Sequence, residues 1–193
     1  MNTAKQRMST RTMVLGAVLT ALVVVLQMMG SFIRFGPFSI SLVLIPIVVG
    51  AAMCGVGVRG FLGFVFGIVV LMTDAGAFLA ISVPGTIITV LVKGIACGIA
   101  AGIAYNLVAK YNRYAAVVAA AMVCPIVNTG IFLLGGAIFF LDALREWGAS
   151  AGFTNVVSYM FLGIVGGNFI FEFISNMILS PVIVRILNIG KKV

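Results

Sequence analysis

Six long apolar stretches, separated by short polar or glycine-rich breaks, run through almost the whole sequence. Within each stretch polarity does not alternate with period two. The apolar residues cover every face of a helical repeat, which is the pattern of helices sunk in lipid rather than of barrel strands. The stretches predict spans at roughly 12–33, 39–56, 60–74, 84–108, 114–141 and 157–188, and a spanning helix needs about 20 residues, so six fill the chain. The second and third meet at the glycine-rich turn CGVGVRG. The third ends at Asp74, DAGAFLAISVPG makes a compact apolar loop, and Pro84 starts the fourth. YNRY divides the fourth from the fifth. DALREWGASAGFTN is the longest polar connection, in which Trp147 suits an interface anchor. The expected fold is all-α: one transmembrane domain over residues 1–193, a bundle of six helices.

Composition agrees. The chain is 63% hydrophobic and 8% charged, with a mean hydropathy of +1.28, against about 25% charged in a soluble domain. The N-terminus, MNTAKQRMSTRTMV, is basic like a signal peptide. The apolar run behind it is too long and has no small-x-small cleavage site before Gly36-Pro37, so it reads as a retained first helix. The net charge of +8 comes from basic residues placed singly or in pairs at the ends of apolar runs, a topology signal rather than a nucleic-acid footprint. With the N-terminus in the cytoplasm, Lys5, Arg7, Arg11, Arg59, Lys110, Arg113, Arg185, Lys191 and Lys192 fall inside and Arg34 and Arg145 outside. Both termini are then cytoplasmic, and Asp74, Asp142 and Glu146 face out.

Several chemistries are disfavoured. Without histidine the chain lacks the commonest metal ligand and general base. Cys54, Cys97 and Cys124 are odd in number, embedded in apolar sequence and without CxxC spacing, so they read as packing residues. Residues 55–60 match GxGxxG literally, but two apolar runs flank them where a dinucleotide fold needs a strand and a later acid. No GxxxxGK[ST] occurs, so the chain has no P-loop with which to energise transport. No cofactor is expected.

Two ionisable residues stand alone where a bilayer would be: Lys93 in the fourth run and Glu172 in the sixth. A charge at mid-membrane costs about 2.5–3.5 kcal/mol on insertion scales, so each must face protein, water or ligand. Thr86, Thr89 and Lys93 share one helix face. Asn168, Glu172 and either Ser175 or Asn176 share another. Asn128, near Pro125 in the fifth run, can point into the same space. Three polar faces at similar depth predict a ligand pocket open to the outer side, with Lys93 suited to an anionic group; the plainer alternative is a buried Lys93–Glu172 pair. Arg34, between aromatics in GSFIRFGPF, and Asp74 with the loop behind it are candidate lid elements. Gly94, Gly98 and Gly102, and Gly63 and Gly67, repeat every fourth residue, the spacing of close helix packing. Ala17 and Ala21 form a similar pair near the cytoplasmic end, where an outside partner can also reach them.

These features resemble a known family. Six spans in under 200 residues, cytoplasmic termini, Ala17-x-x-x-Ala21, and SISLVLIPIVVGAAMCGVGVRGFLGFVFGIV with its central Pro46 are similar to the substrate-binding S component of energy-coupling factor (ECF) transporters. The resemblance implies a high-affinity vitamin-binding subunit of the bacterial plasma membrane, which topples to carry its ligand inward. Its partners would be a transmembrane coupling protein, met at Ala17 and Ala21, and two cytoplasmic ATPases. It also implies a pocket in the outer halves of the last three spans, where Lys93, Asn128, Asn168 and Glu172 lie; Thr89, Asn176 and Arg34 complete the candidate substrate-binding set. The lysine favours an acid such as pantothenate, the first choice, folate or biotin, and riboflavin is open as well, since three asparagines and several aromatics could hold a flavin. Two other readings are open. A proton- or ion-coupled carrier working alone would use Glu172 as relay, and an intramembrane enzyme would have only Lys93 and Glu172 to work with.

Overall fold

The computed structural model describes residues 9–32, 34–35, 38–39, 42–54 and 56–189. Its elements in chain order are α1 (Thr10–Gly30), β1 (Arg34–Phe35), β2 (Phe38–Ser39), α2 (Leu44–Met53), α3 (Val56–Thr73), α4 (Gly76–Leu79), α5 (Val83–Ala109), α6 (Arg113–Phe139), α7 (Leu141–Ser150), α8 (Val156–Ser158), a π-helical stretch (Tyr159–Gly166) and α9 (Gly167–Ile189). β1 and β2 form a two-residue antiparallel pair, Arg34 opposite Ser39.

Local signals set the helix starts. Ser9 accepts from the Thr12 amide, Ser82 from that of Gly85, and Asn112 from those of Tyr114 and Ala115, each satisfying donors that have no partner in the first turn. Pro84 sits in the first turn of α5, where its missing N–H costs nothing.

Among the described residues four segments are long and apolar enough to cross a membrane: Thr10–Gly30, Val83–Ala109, Arg113–Phe139 and Val156–Arg185. The other two predicted spans are shorter helices. At about 1.5 Å per residue α2 extends only about 15 Å, half a hydrocarbon core. It is also sunk in the bundle, with Leu44 through Ala51 all buried. By contrast, the long segments turn large apolar side chains outward: Leu162 is 71% exposed, Ile138 70% and Leu134 64%. Such a surface suits hydrocarbon rather than water. The chain is an α-helical membrane protein.

The glycine rows prove to be internal contacts. Where α3 crosses α5, a Cβ on Gly63 would collide with the Gly94 carbonyl, and one on Gly94 with the Gly63 carbonyl. Lower on α5, Gly98 faces the Arg59 carbonyl and Gly102 the Arg59 side chain. Arg59, expected as a topology signal in a turn, lies instead in the first turns of α3 and is buried. Its guanidinium donates to the carbonyls of Cys54 (3.2 Å) and Gly102 (3.1 Å) and to Asn106 Oδ1 (3.3 Å).

Two connections hold more structure than their composition suggests. DALREWGASAGFTN contains α7, with Leu144 buried and Trp147 partly buried against the same apolar cluster. In the DAGAFLAISVPG loop the single turn α4 buries Phe78, which meets Phe140, Trp147 and Phe132 edge-on, with ring centroids 5.1, 5.5 and 5.6 Å away. Edge-to-face aromatic contacts of this kind add about 0.5–1.5 kcal/mol each beyond area burial. This cluster lies at the end of the bundle where α3 finishes and α5 begins.

Candidate functional site

Beside the Phe78 cluster lies an open cavity, about 850 Å³ of non-atom space with the adjoining solvent included. Its walls are assembled from most of the bundle. α1 supplies Gln27, and the end of α3 supplies Phe66, Val70 and Asp74. The α5 stripe Thr86, Thr89 and Lys93 forms one side, α6 brings Asn128, Thr129 and Phe132, and the last span brings Ile164, Asn168 and Glu172.

Periodicity explains the convergence. Thr86, Thr89 and Lys93 fall at i, i+3 and i+7, and Asn168 and Glu172 at i and i+4, so each set occupies one face. The π-helical stretch directly precedes Asn168 and itself contributes Ile164 and Val165. Wide turns of this type recur at functional sites. Gly135 on α6 lets α5 approach, because a Cβ there would overlap the Thr89 side chain.

Of the predicted substrate-binding residues, Lys93, Thr89, Asn128, Asn168 and Glu172 line this one cavity. Asn176 does not; it is buried and accepts a hydrogen bond from the Ser180 hydroxyl at 3.3 Å. Eight residues beyond Asn168, it lies about 12 Å further along the helix and about 80° around it, so the stripe leaves the cavity before reaching it. Arg34 is in β1, but its side chain lies outside the described residues. Asp74, expected in a lid, lines the cavity and accepts from Gln27 Nε2 and from the Thr73 hydroxyl. Gln27 and Thr129 are polar lining residues that the sequence pattern did not single out. The signal of Gln27 was a lone amide in LVVVLQMMG, easily taken for the wet end of a helix.

The electrostatics are compact. Lys93 Nζ stands 5.5 Å from the Phe66 ring centroid and 5.3 Å from that of Phe132, within cation–π range. The carboxylic side chains of Glu172 and Asp74 line the same cavity as Lys93. Three further groups stand out. Thr89 Oγ1, Asn128 Oδ1 and Asn168 Oδ1 are buried and have no hydrogen-bond partner among the described residues. A buried polar atom left unsatisfied costs about 1–3 kcal/mol, and the three residues that carry one, on three helices, all line the one cavity.

Among the described residues no three of His, Cys, Asp and Glu come together. Cys97 and Cys124 lie one turn below Lys93 and Asn128, fully buried.

Ala17 and Ala21 are placed elsewhere. On α1 the buried face is Gly16, Leu19, Val23 and Gln27. The two alanines lie on the opposite, exposed face among Met13, Val14, Val18 and Leu22.

Comparison with known proteins adds one finding. The family model described as ECF transporter, substrate-specific component, matches residues 11–187. No curated protein and no solved structure matches the chain. With nearly its full length matched, and with helices that leave apolar surface for lipid around a polar hollow, the chain belongs to the family of substrate-specific components of ECF transporters.

Proposed function

We propose that this chain is the high-affinity binding subunit of an ECF transporter, capturing a small water-soluble vitamin from outside a bacterial cell. It passes the vitamin inward when coupled to a transmembrane partner and two cytoplasmic ATPases. The observation that carries this reading is that Thr89, Asn128 and Asn168, each with an unsatisfied buried oxygen, line one cavity together with Lys93 and Glu172. A fold keeps polar groups unpaired in its interior at a cost of several kcal/mol only if something else pairs them.

In this reading six segments cross or enter the membrane, both termini are cytoplasmic, and the cavity lies in the outer half. Ala17 and Ala21 meet the coupling partner, because they are exposed and small enough for a helix to approach closely. Lys93 favours a vitamin carrying an acceptor or an anionic group, so pantothenate, folate, biotin and riboflavin form the first panel.

Mass spectrometry of compounds extracted from the protein, purified from cells grown in rich medium, tests the proposal. A vitamin recovered in near-stoichiometric amount supports it. Protein that carries no small molecule and gains none after incubation with the panel contradicts it.

A further inference from the structure

Arg59 lies outside the cavity wall, is buried, and finds no counter-charge within the chain. We infer that Arg59, Asn106 and Lys110 form a binding site for the phosphate of an anionic phospholipid, at the end of the bundle where α3 begins and α5 ends. The guanidinium has five N–H donors. Among the described residues its acceptors are the carbonyls of Cys54 and Gly102 and the side-chain oxygen of Asn106, all uncharged. The chain has four acidic side chains, and each lies elsewhere. Asp74 follows the opposite end of α3, about 22 Å away along the helix. Asp142 and Glu146 are on α7, and Glu172 is in the cavity wall. A buried cation without a counter-charge is costly, so the missing partner is an anion from outside the chain.

Three features make that anion a lipid phosphate. The first is depth. Arg59 stands in the first turns of α3, Asn106 in the last turn of α5, and Lys110 caps α5. With 27 residues α5 is about 40 Å long, the thickness of a bilayer with its headgroups, so its end lies at phosphate level. The second is the donor set. Asn106 is exposed although it accepts from the buried Arg59, so the guanidinium reaches the surface there. With its oxygen engaged by Arg59, Asn106 keeps its amide N–H groups for a ligand. Gly102, Asn106 and Lys110 recur every fourth residue, so the exposed Lys110 extends the same face of α5. The third is apolar. Ile99, Ile103 and Leu107 make the neighbouring stripe of α5 and are 40%, 54% and 60% exposed. An acyl chain covers that stripe when its phosphate sits on Arg59, whereas a soluble anion or an acidic side chain leaves it bare.

The full chain, in detergent and stripped of lipid, is titrated with dioleoylphosphatidylglycerol and with dioleoylphosphatidylcholine, and bound lipid is counted by native mass spectrometry. The expected result is one phosphatidylglycerol held at least about tenfold more tightly than phosphatidylcholine, the least that one charge-assisted hydrogen bond gives. Excess inorganic phosphate should not displace it. Arg59 also ties α3 to α5, so replacing it removes fold and charge together. Asn106→Asp instead supplies the counter-charge from within the chain, and should abolish the preference in protein that remains folded. Arg185→Gln removes an exposed cation at the same end of the bundle, on α9, and should leave the preference unchanged. Equal affinity for the two lipids overturns the inference and leaves Arg59 to an acidic side chain of another protein. Displacement by phosphate alone, a preference that survives Asn106→Asp, or one lost equally in Arg185→Gln overturns it as well.

Discussion

Gln27 and Asp74, 47 residues apart in the chain, are joined by a hydrogen bond from the Gln27 amide to the Asp74 carboxylate at the cavity wall. The bond ties α1 to the end of α3. It also means that the helix carrying Ala17 and Ala21 on its exposed face carries a cavity residue on its buried one. Gln27→Leu removes this donor from a charged acceptor. The expected loss is about 1.5–3 kcal/mol of stability, read as a lower unfolding temperature in detergent. An unfolding temperature equal to that of the unmodified chain would show that the bond does not hold α1 in place.

Lys93→Met keeps the stem and removes the ammonium. If Lys93 donates to the bound substrate, affinity falls by about 1.5–3 kcal/mol, or roughly ten- to hundredfold in Kd, with the fold intact. Calorimetric titration of the substrate identified by extraction measures it. Equal Kd values would remove Lys93 from the contact surface.

The α3–α5 crossing makes a contrast testable without any ligand. Gly94→Ala places a methyl on the Gly63 carbonyl and should lower stability by about 1–3 kcal/mol or prevent accumulation of folded protein. Gly130→Ala, two residues from Asn128 on α6, meets nothing within 4 Å and should be neutral to about 0.5 kcal/mol. Size-exclusion profiles and unfolding temperatures compare the two. Tolerance of both substitutions would mean that the helices do not approach as closely as described.

Ala17→Trp together with Ala21→Trp fills the exposed face of α1 and touches no cavity residue. Substrate affinity of the isolated chain should not change, while uptake in cells that also make the coupling proteins should vanish. Parallel loss of binding and uptake would point to misfolding, and full uptake would place the partner surface elsewhere.

Much of this architecture was legible in the sequence because lipid imposes a coarse rule. A run of about 20 apolar residues has few alternatives to a helix, and an isolated charge inside it must turn inward. Lys93, Thr89, Asn128, Asn168 and Glu172 therefore converge where their periodicity directs them. What escaped had weaker or competing signals. Leu141, Leu144 and Trp147 are spaced for one helical face, but the charges around them read as a connection and concealed α7. The 10-residue α2 sits inside a longer apolar run, and periodicity alone does not reveal where a helix starts within such a run. Asn176 was assigned to the site by a stripe that rotates away over two turns. Gln27 shows the opposite failure, since its partner is 47 positions distant and no local pattern connects them.

The central claim is that the cavity among α5, α6 and α9 grips a small nutrient without help from other subunits. Titrating the ligand-stripped chain, alone in nanodiscs, with the water-soluble vitamins one by one while following Trp147 fluorescence tests this most directly. The account predicts that at least one binds with a Kd below about 1 μM, or about −8 kcal/mol, and that its affinity falls when Asn168 is replaced by leucine. Failure of every vitamin to reach that affinity, on protein shown to be folded, would contradict it.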